Sequence, residues 1–238
     1  MVNFSDGAPK LPRWICAAPI WVLPDYFEMM EARGARRVVA LSSTSRFTKK
    51  ASSDVEEQAV AQQLADAEER FRTWAESKRI EWVILRPTLI YGRGRDKNIS
   101  DIARFIRRFG FFPVLGQANG LRQPVHAADV ASACFGALNS PNATNRDYNI
   151  SGAETLPYRG MVSRVFVALD RRPRLLSVPM WIFWFAVTCL RLVPRYRHWS
   201  SAMADRMNQD LIFDHFDAAR DLDFRPRPFK LSAQDLPR

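Results

Sequence analysis

Apolar residues in this chain fall into short unbroken runs, separated by stretches where they recur every three or four positions. Trp14-Ile15-Cys16-Ala17-Ala18, Arg37-Val38-Val39-Ala40-Leu41 and the run from Glu81 to Tyr91 are of the first kind. They lack the alternation of a half-solvated strand, so they read as strands covered on both faces. Between them, a helix is expected from about residue 24 to 33, ended by Gly34. A second begins at Ser53-Asp54-Val55-Glu56, which fits a capping box: hydroxyl and carboxylate each satisfy a free backbone N–H. Val60, Leu64, Ala67, Phe71 and Trp74 then make one apolar stripe that faces a sheet. Strand, helix, strand, helix, strand at this spacing predicts an α/β parallel sheet.

Beyond Gly94 the pattern loosens. Ile99, Ile102, Phe105, Ile106 and Phe109 predict an amphipathic helix ended by Gly110. Residues 111–120 read as a loop, Asp129 as the cap of a helix running to Leu138, and 147–150 as a short strand. Helices are expected near 157–169, 178–192, 200–212 and 216–222.

Charge changes the picture of partners. The 238 residues carry 35 Lys+Arg against 25 Asp+Glu, a formal charge of +10 that favours anionic ligands or surfaces. With no zinc-finger spacing, RNA-binding signature or block of basic residues, no nucleic-acid partner is predicted. Cys16, Cys134 and Cys189 are isolated, as are His126, His198 and His215, so neither a disulfide framework nor a metal site is expected. No secretory pattern opens the sequence, which points to a cytoplasmic location. Leu175 to Leu190 is a run of 16 uncharged residues flanked by arginines. It is shorter than the roughly 20 residues a bilayer span requires. A helix packed within the C-terminal part is the first reading, and a membrane-peripheral helix lying on anionic lipid is the alternative.

Two linked motifs carry the chemistry: Ile84-Leu85-Arg86-Pro87-Thr88-Leu89-Ile90-Tyr91-Gly92, and Arg122-Gln123-Pro124-Val125-His126-Ala127-Ala128-Asp129-Val130. Tyr148 through Glu154 and Ala219 through Pro226 add a short strand-and-turn and a closing helix-and-turn. Together they resemble the second half of an extended short-chain dehydrogenase/reductase, the NAD-dependent epimerase/dehydratase family, over about residues 14–230. The resemblance implies a partial doubly wound, Rossmann-like parallel sheet over 14–120 after an irregular segment 1–13. A helix-rich substrate region over 121–238 completes the sheet.

The resemblance also implies a site at the carboxyl ends of the strands. Ala17, Ala18, Ser42, Pro87 and Thr88 would lie against NAD or NADP. Ser43, with Thr44 as the near alternative, matches the catalytic hydroxyl. Tyr91, Asn98 and Arg122 would face the substrate, the Arg122 fork suiting a phosphate. His126 and Asp129 are expected to join loop to helix. Two features depart from the family pattern. Val60 and Leu64 occupy the positions of its Tyr-x-x-x-Lys pair, leaving Tyr91 as the nearest stand-in phenol. No GxxGxxG or GxGxxG occurs, and Trp14 to Ala18 resembles the family's fourth strand, so the three strands before it are expected to be missing and the first remaining strand to show a bare edge. The implied function is that of an NAD(P)-dependent epimerase/dehydratase acting on a nucleotide sugar or similar phosphorylated molecule. The alternative is a non-catalytic binding or assembly module, and a homodimer is left open.

Overall fold

The computed structural model describes residues 9–179 and 206–237. Its strands are β1 (Arg13–Cys16), β2 (Arg37–Leu41), β3 (Glu81–Pro87), β4 (Ile90–Tyr91), β5 (Phe112–Leu115), β6 (Leu121–Arg122), β7 (Val125–His126), β8 (Arg146–Ile150), β9 (Leu156–Pro157) and β10 (Leu175–Val178). The α-helices are α1 (Phe27–Ala32), α2 (Ser45–Thr48), α3 (Val55–Ser77), α4 (Ile99–Phe109), α5 (Ala127–Asn139), α6 (Tyr158–Ala168) and α7 (Phe216–Leu222).

β2 and β3 assemble as their lack of alternation demands, whereas β1 is exposed or half-buried along its whole length, because it lies at the edge of the sheet. β1, β2, β3 and β8 form one parallel sheet in that order, with Ile15 beside Val39, Val39 beside Val83, and Leu85 beside Tyr148. One face, carrying Val38, Ala40, Trp82 and Ile84, is covered by the α3 stripe (Leu64, Ala67, Phe71) and by Ile20 and Leu23 from the turn before α1. The other, carrying Val39, Val83, Leu85, Tyr148 and Ile150, packs on α5 and α7. A second core joins α4, β5 and α6 to Phe229 and Leu236 near the C-terminal end. Among the described residues β1 pairs on one side only, and Ile15 is 42% exposed, in keeping with the bare edge expected from sequence.

Several elements depart from the sequence expectation. The run ending at Tyr91 splits, because Pro87 has no N–H to continue the ladder. The Thr88 N–H instead closes on the Ile150 carbonyl, and Ile90-Tyr91 leaves the sheet to pair with β7. Residues 111–120 contain a strand, β5, which pairs in parallel with Leu175–Val178. The start of the uncharged 175–190 run is therefore strand, and its remainder from 180 lies outside the described residues, as do 200–205 of the helix expected at 200–212; of the rest of that stretch, 206–208 are helical and 209–212 are not. Among the described residues no helix is long and apolar enough to cross a membrane. The cap of α5 is His126, whose Nδ1 accepts from the Ala128 N–H at 3.0 Å, rather than Asp129. Asp129 turns instead to the backbone N–H and guanidinium of Arg227.

The cap of α3 also moves, by one residue. Asp54, not Ser53, is the N-cap, and its Oδ1 accepts from the Glu56 and Glu57 N–H groups at 2.9 and 3.4 Å. Asp54→Ala is expected to lower unfolding free energy by about 1 kcal/mol in a urea titration, with little change in slope.

Candidate functional site

Parallel pairing places the ends of β1, β2, β3 and β8 on one side of the sheet, and the segments leaving them form the candidate site. These are Ala17-Ala18, Ser42-Ser43-Thr44, Pro87-Thr88 and Ser151-Gly152. Ala17 and Ala18 are exposed; Ser43 and Thr88 are half-buried; Ser42, Thr44 and Pro87 are buried. The segments are tied to one another. The Ser42 N–H bonds the Leu85 carbonyl, and the Thr44 N–H bonds that of Pro87. The Thr88 hydroxyl donates to the Gln123 carbonyl at 2.5 Å, bringing the loop before β7 against the end of β3.

The three hydroxyls after β2 have different commitments. Ser42 donates to Glu68 Oε1 at 2.5 Å. Thr44 donates to the Pro87 carbonyl at 3.3 Å. Ser43 Oγ accepts from the Ser45 N–H at 3.1 Å, so its own proton is not used in that turn.

Beneath this surface lies a charged network that the sequence reading of Arg86 as part of a strand-end motif did not resolve. The Glu68 carboxylate, fully buried on α3, receives Arg86 Nε at 3.0 Å and Nη2 at 2.7 Å, together with Arg46 Nη1. Arg86 Nη1 continues to Asp147 Oδ1 at 2.5 Å, and Arg72 Nη2 meets Asp147 Oδ2 at 2.8 Å. Burial by itself would raise the Glu68 pKa. The hydrogen bonds from Arg86 and Ser42 and the charges of Arg86 and Arg46 outweigh it and hold the carboxyl below its ordinary value.

Val60 and Leu64 contribute to the apolar face of α3 that packs on the sheet, Leu64 within the core and Val60 against it. The remaining predicted residues stand on other elements. Tyr91 is fully buried in the second core, its ring edge-on to His126 and Phe229, and its hydroxyl has no partner. Burial pushes that phenol up to about 12. Asn98 is exposed ahead of α4, where its N–H donates to Asp96. Arg122 is buried, stacked over Tyr158, and donates to the carbonyls of Leu121, Arg206 and Gln209. With no carboxylate among those partners, burial lowers its pKa to about 10. The pair Ser151–His215, 2.7 Å apart beyond β8, was not anticipated from sequence, because 64 residues separate the two. Among the described residues no cluster of His, Cys, Asp and Glu could hold a metal ion.

Residues 25–151 match the family model of the NAD dependent epimerase/dehydratase family. Among curated relatives, UDP-glucose 4-epimerase of Vibrio cholerae is 25% identical over 119 residues, 50% of this chain and 36% of that protein. The chain spans between 25% and 36% of the length of the curated relatives it matches. Among solved structures, the UDP-glucuronic acid 4-epimerase from Bacillus cereus in complex with NAD superposes with a TM-score of 0.64 at 15% identity, covering 90% of this chain and 61% of that one. RMD from Pseudomonas aeruginosa complexed with NADPH gives a TM-score of 0.65 at 16% identity, with 92% and 77% covered.

Proposed function

Because the chain belongs to the NAD dependent epimerase/dehydratase family, we propose that its strand ends form the nicotinamide and substrate side of an NAD(P)-dependent site. The proposed substrate is a nucleotide sugar or similar phosphorylated molecule. One observation carries this reading: the Ser43 hydroxyl is held as an acceptor by the Ser45 N–H while its proton is left free, at the mouth of the sheet beside Pro87 and Thr88. The described residues fit the nicotinamide end of a cofactor, since exposed Ala17 and Ala18 leave room and the backbone after Pro87 is fixed by Ile150 and Gln123. They do not fit a pyrophosphate, for which the sequence has no glycine-rich loop. When bound, the nicotinamide supplies hydride transfer.

The chain's own residues would then divide the work. Ser43 donates a hydrogen bond to a hydroxyl or carbonyl of the substrate. Thr44 is spent on the Pro87 carbonyl and shapes the loop instead. Arg122, whose hydrogen-bond partners are backbone carbonyls and include no carboxylate, would turn its guanidinium to a substrate phosphate. Titration with NADH and NADPH, followed by tryptophan quenching, is expected to saturate for at least one of them. Ser43→Ala should retain that binding and lose about a hundredfold in turnover of a UDP-sugar. Absence of saturable binding by either nucleotide sinks the proposal.

A second reading, a non-catalytic binding or assembly module, is favoured by Val60 and Leu64, whose side chains can neither give nor take a proton. It predicts nucleotide binding without turnover of any UDP-sugar. Turnover that disappears in Ser43→Ala rules it out.

A further inference from the structure

We propose that the corner where α4, β5 and β10 meet docks on an anionic phospholipid membrane. Phe109 at the end of α4 is 51% exposed, as is Leu176 on β10. Phe105, Phe109 and Phe111 form a compact knob, with ring centroids 4.6 Å (105–109), 5.8 Å (105–111) and 6.3 Å (109–111) apart. The Phe112 N–H bonds the Arg174 carbonyl, and Leu176 lies beside Pro113 in the β5–β10 pair. The knob and the 171–176 segment therefore share one surface.

That surface is basic. Arg107 and Arg171 are fixed on the carbonyls of Pro237 and Ile106 near the end of α4, where cations complement the helix dipole. Arg108, Arg172 and Arg174 are exposed and have no carboxylate partner among the described residues. A solvated protein surface with mixed charge would pair some of these. Here, Arg108 sits over exposed Phe109 and Arg172 and Arg174 belong to the segment paired beside the knob, with no carboxylate partner among the described residues, which is the composition that an anionic interface selects: phenylalanine enters the headgroup layer and arginine meets the phosphates.

A single-stranded nucleic acid offers the same charge but needs open ring faces for stacking. The knob is poor in them. Phe105 meets Phe111 edge-on at 87°, and the Arg108 guanidinium sits 5.3 Å over the Phe109 ring. The exposed aliphatic Leu176 likewise has no role against bases.

Co-sedimentation tests the proposal, using vesicles of phosphatidylcholine alone and vesicles with phosphatidylserine in a three-to-one ratio. The full chain is expected to sediment with the second and not with the first. Combined R108E, R172E and R174E should weaken partitioning by at least about a hundredfold, counting roughly fivefold for each arginine. F109S should weaken it independently, and the urea midpoint of both variants should stay near that of the parent. A control with the same change in net charge, R36E, K50E and R70E, should keep most of the binding. The proposal is overturned if the chain ignores both vesicle types or binds them equally. It is also overturned if the control loses as much as the arginine variant, or if single-stranded RNA is bound in preference to vesicles.

Discussion

Glu68→Ala is expected to lower the unfolding free energy by about 3–5 kcal/mol, because it leaves Arg86 buried with half of its partners gone. The carboxylate accepts Arg86 through both Nε and Nη2, and takes Ser42 and Arg46 as well. After its removal Arg86 keeps Asp147 alone of its two carboxylates, while the Ser42 hydroxyl loses its acceptor. Breaking one partner of such a pair costs more than removing both. The double replacement Glu68→Leu with Arg86→Met should therefore cost less than Glu68→Ala alone. Equal or larger loss in the double variant would mean that the pair does not act as a unit.

The same carboxylate sets a pH dependence. Its folded pKa lies below the ordinary glutamate value because the hydrogen bonds and charges of Arg86, Ser42 and Arg46 outweigh the effect of burial. A depressed pKa means that its stabilisation is fully present above the unfolded value of about 4.3 and is lost as pH falls through the folded value. Denaturant titrations at descending pH should show a steep acid limb in the parent and a shallower one in Glu68→Gln. Identical limbs would assign the acid transition to other carboxylates.

The middle of the sheet was legible because β2 and β3 are covered on both faces, and burial on two faces writes an unbroken apolar run. α3 was legible for the complementary reason, its stripe being the part that meets the sheet. Glu68 left a signal too: it stands four residues after Leu64 and three before Phe71, on the face that packs inward. A carboxylate there requires a partner, and so does an arginine in a strand covered on both sides. Two such charges in adjacent elements imply each other. What sequence could not supply was β5, a four-residue strand containing Pro113 whose partner begins sixty residues later. The cap of α5 was hidden in a similar way. His126 and Asp129 both stand at a helix start, and only the distant Asp235 and Arg227 decide between them. His126 bonds Asp235 through Nε2, which leaves Nδ1 as the acceptor for the helix N–H. Of the candidate site, the strand-end segments were legible through motif order, while the free proton of Ser43 and the carbonyl partners of Arg122 depend on side-chain geometry.

Gly152→Ala is the second substitution of large expected effect. A Cβ at this position would lie 1.9 Å from the Pro124 carbonyl oxygen and 2.7 Å from its carbon. The obstacle is backbone, so no rotamer change relieves it, and one of two segments must move by more than an ångström. Neither moves cheaply. The Gly152 N–H bonds the Gln123 carbonyl, which also accepts the Thr88 hydroxyl, while Gln123 Oε1 accepts the Phe213 N–H at 2.7 Å. The substitution should cost about 3 kcal/mol, at the upper end of ordinary overpacking. Its consequences would not be confined to stability. Displacing residues 123–124 loosens the Thr88 hydroxyl bond that holds the end of β3, so nucleotide affinity should fall in the fraction that remains folded. Gly136→Ala provides the comparison, since its Cβ would meet the Leu222 carbonyl oxygen at 2.7 Å on the α5–α7 side, away from the strand ends. It should lower stability while leaving nucleotide affinity of the folded protein intact. Equal affinities in the two variants would show that the 123–124 contact does not support the site.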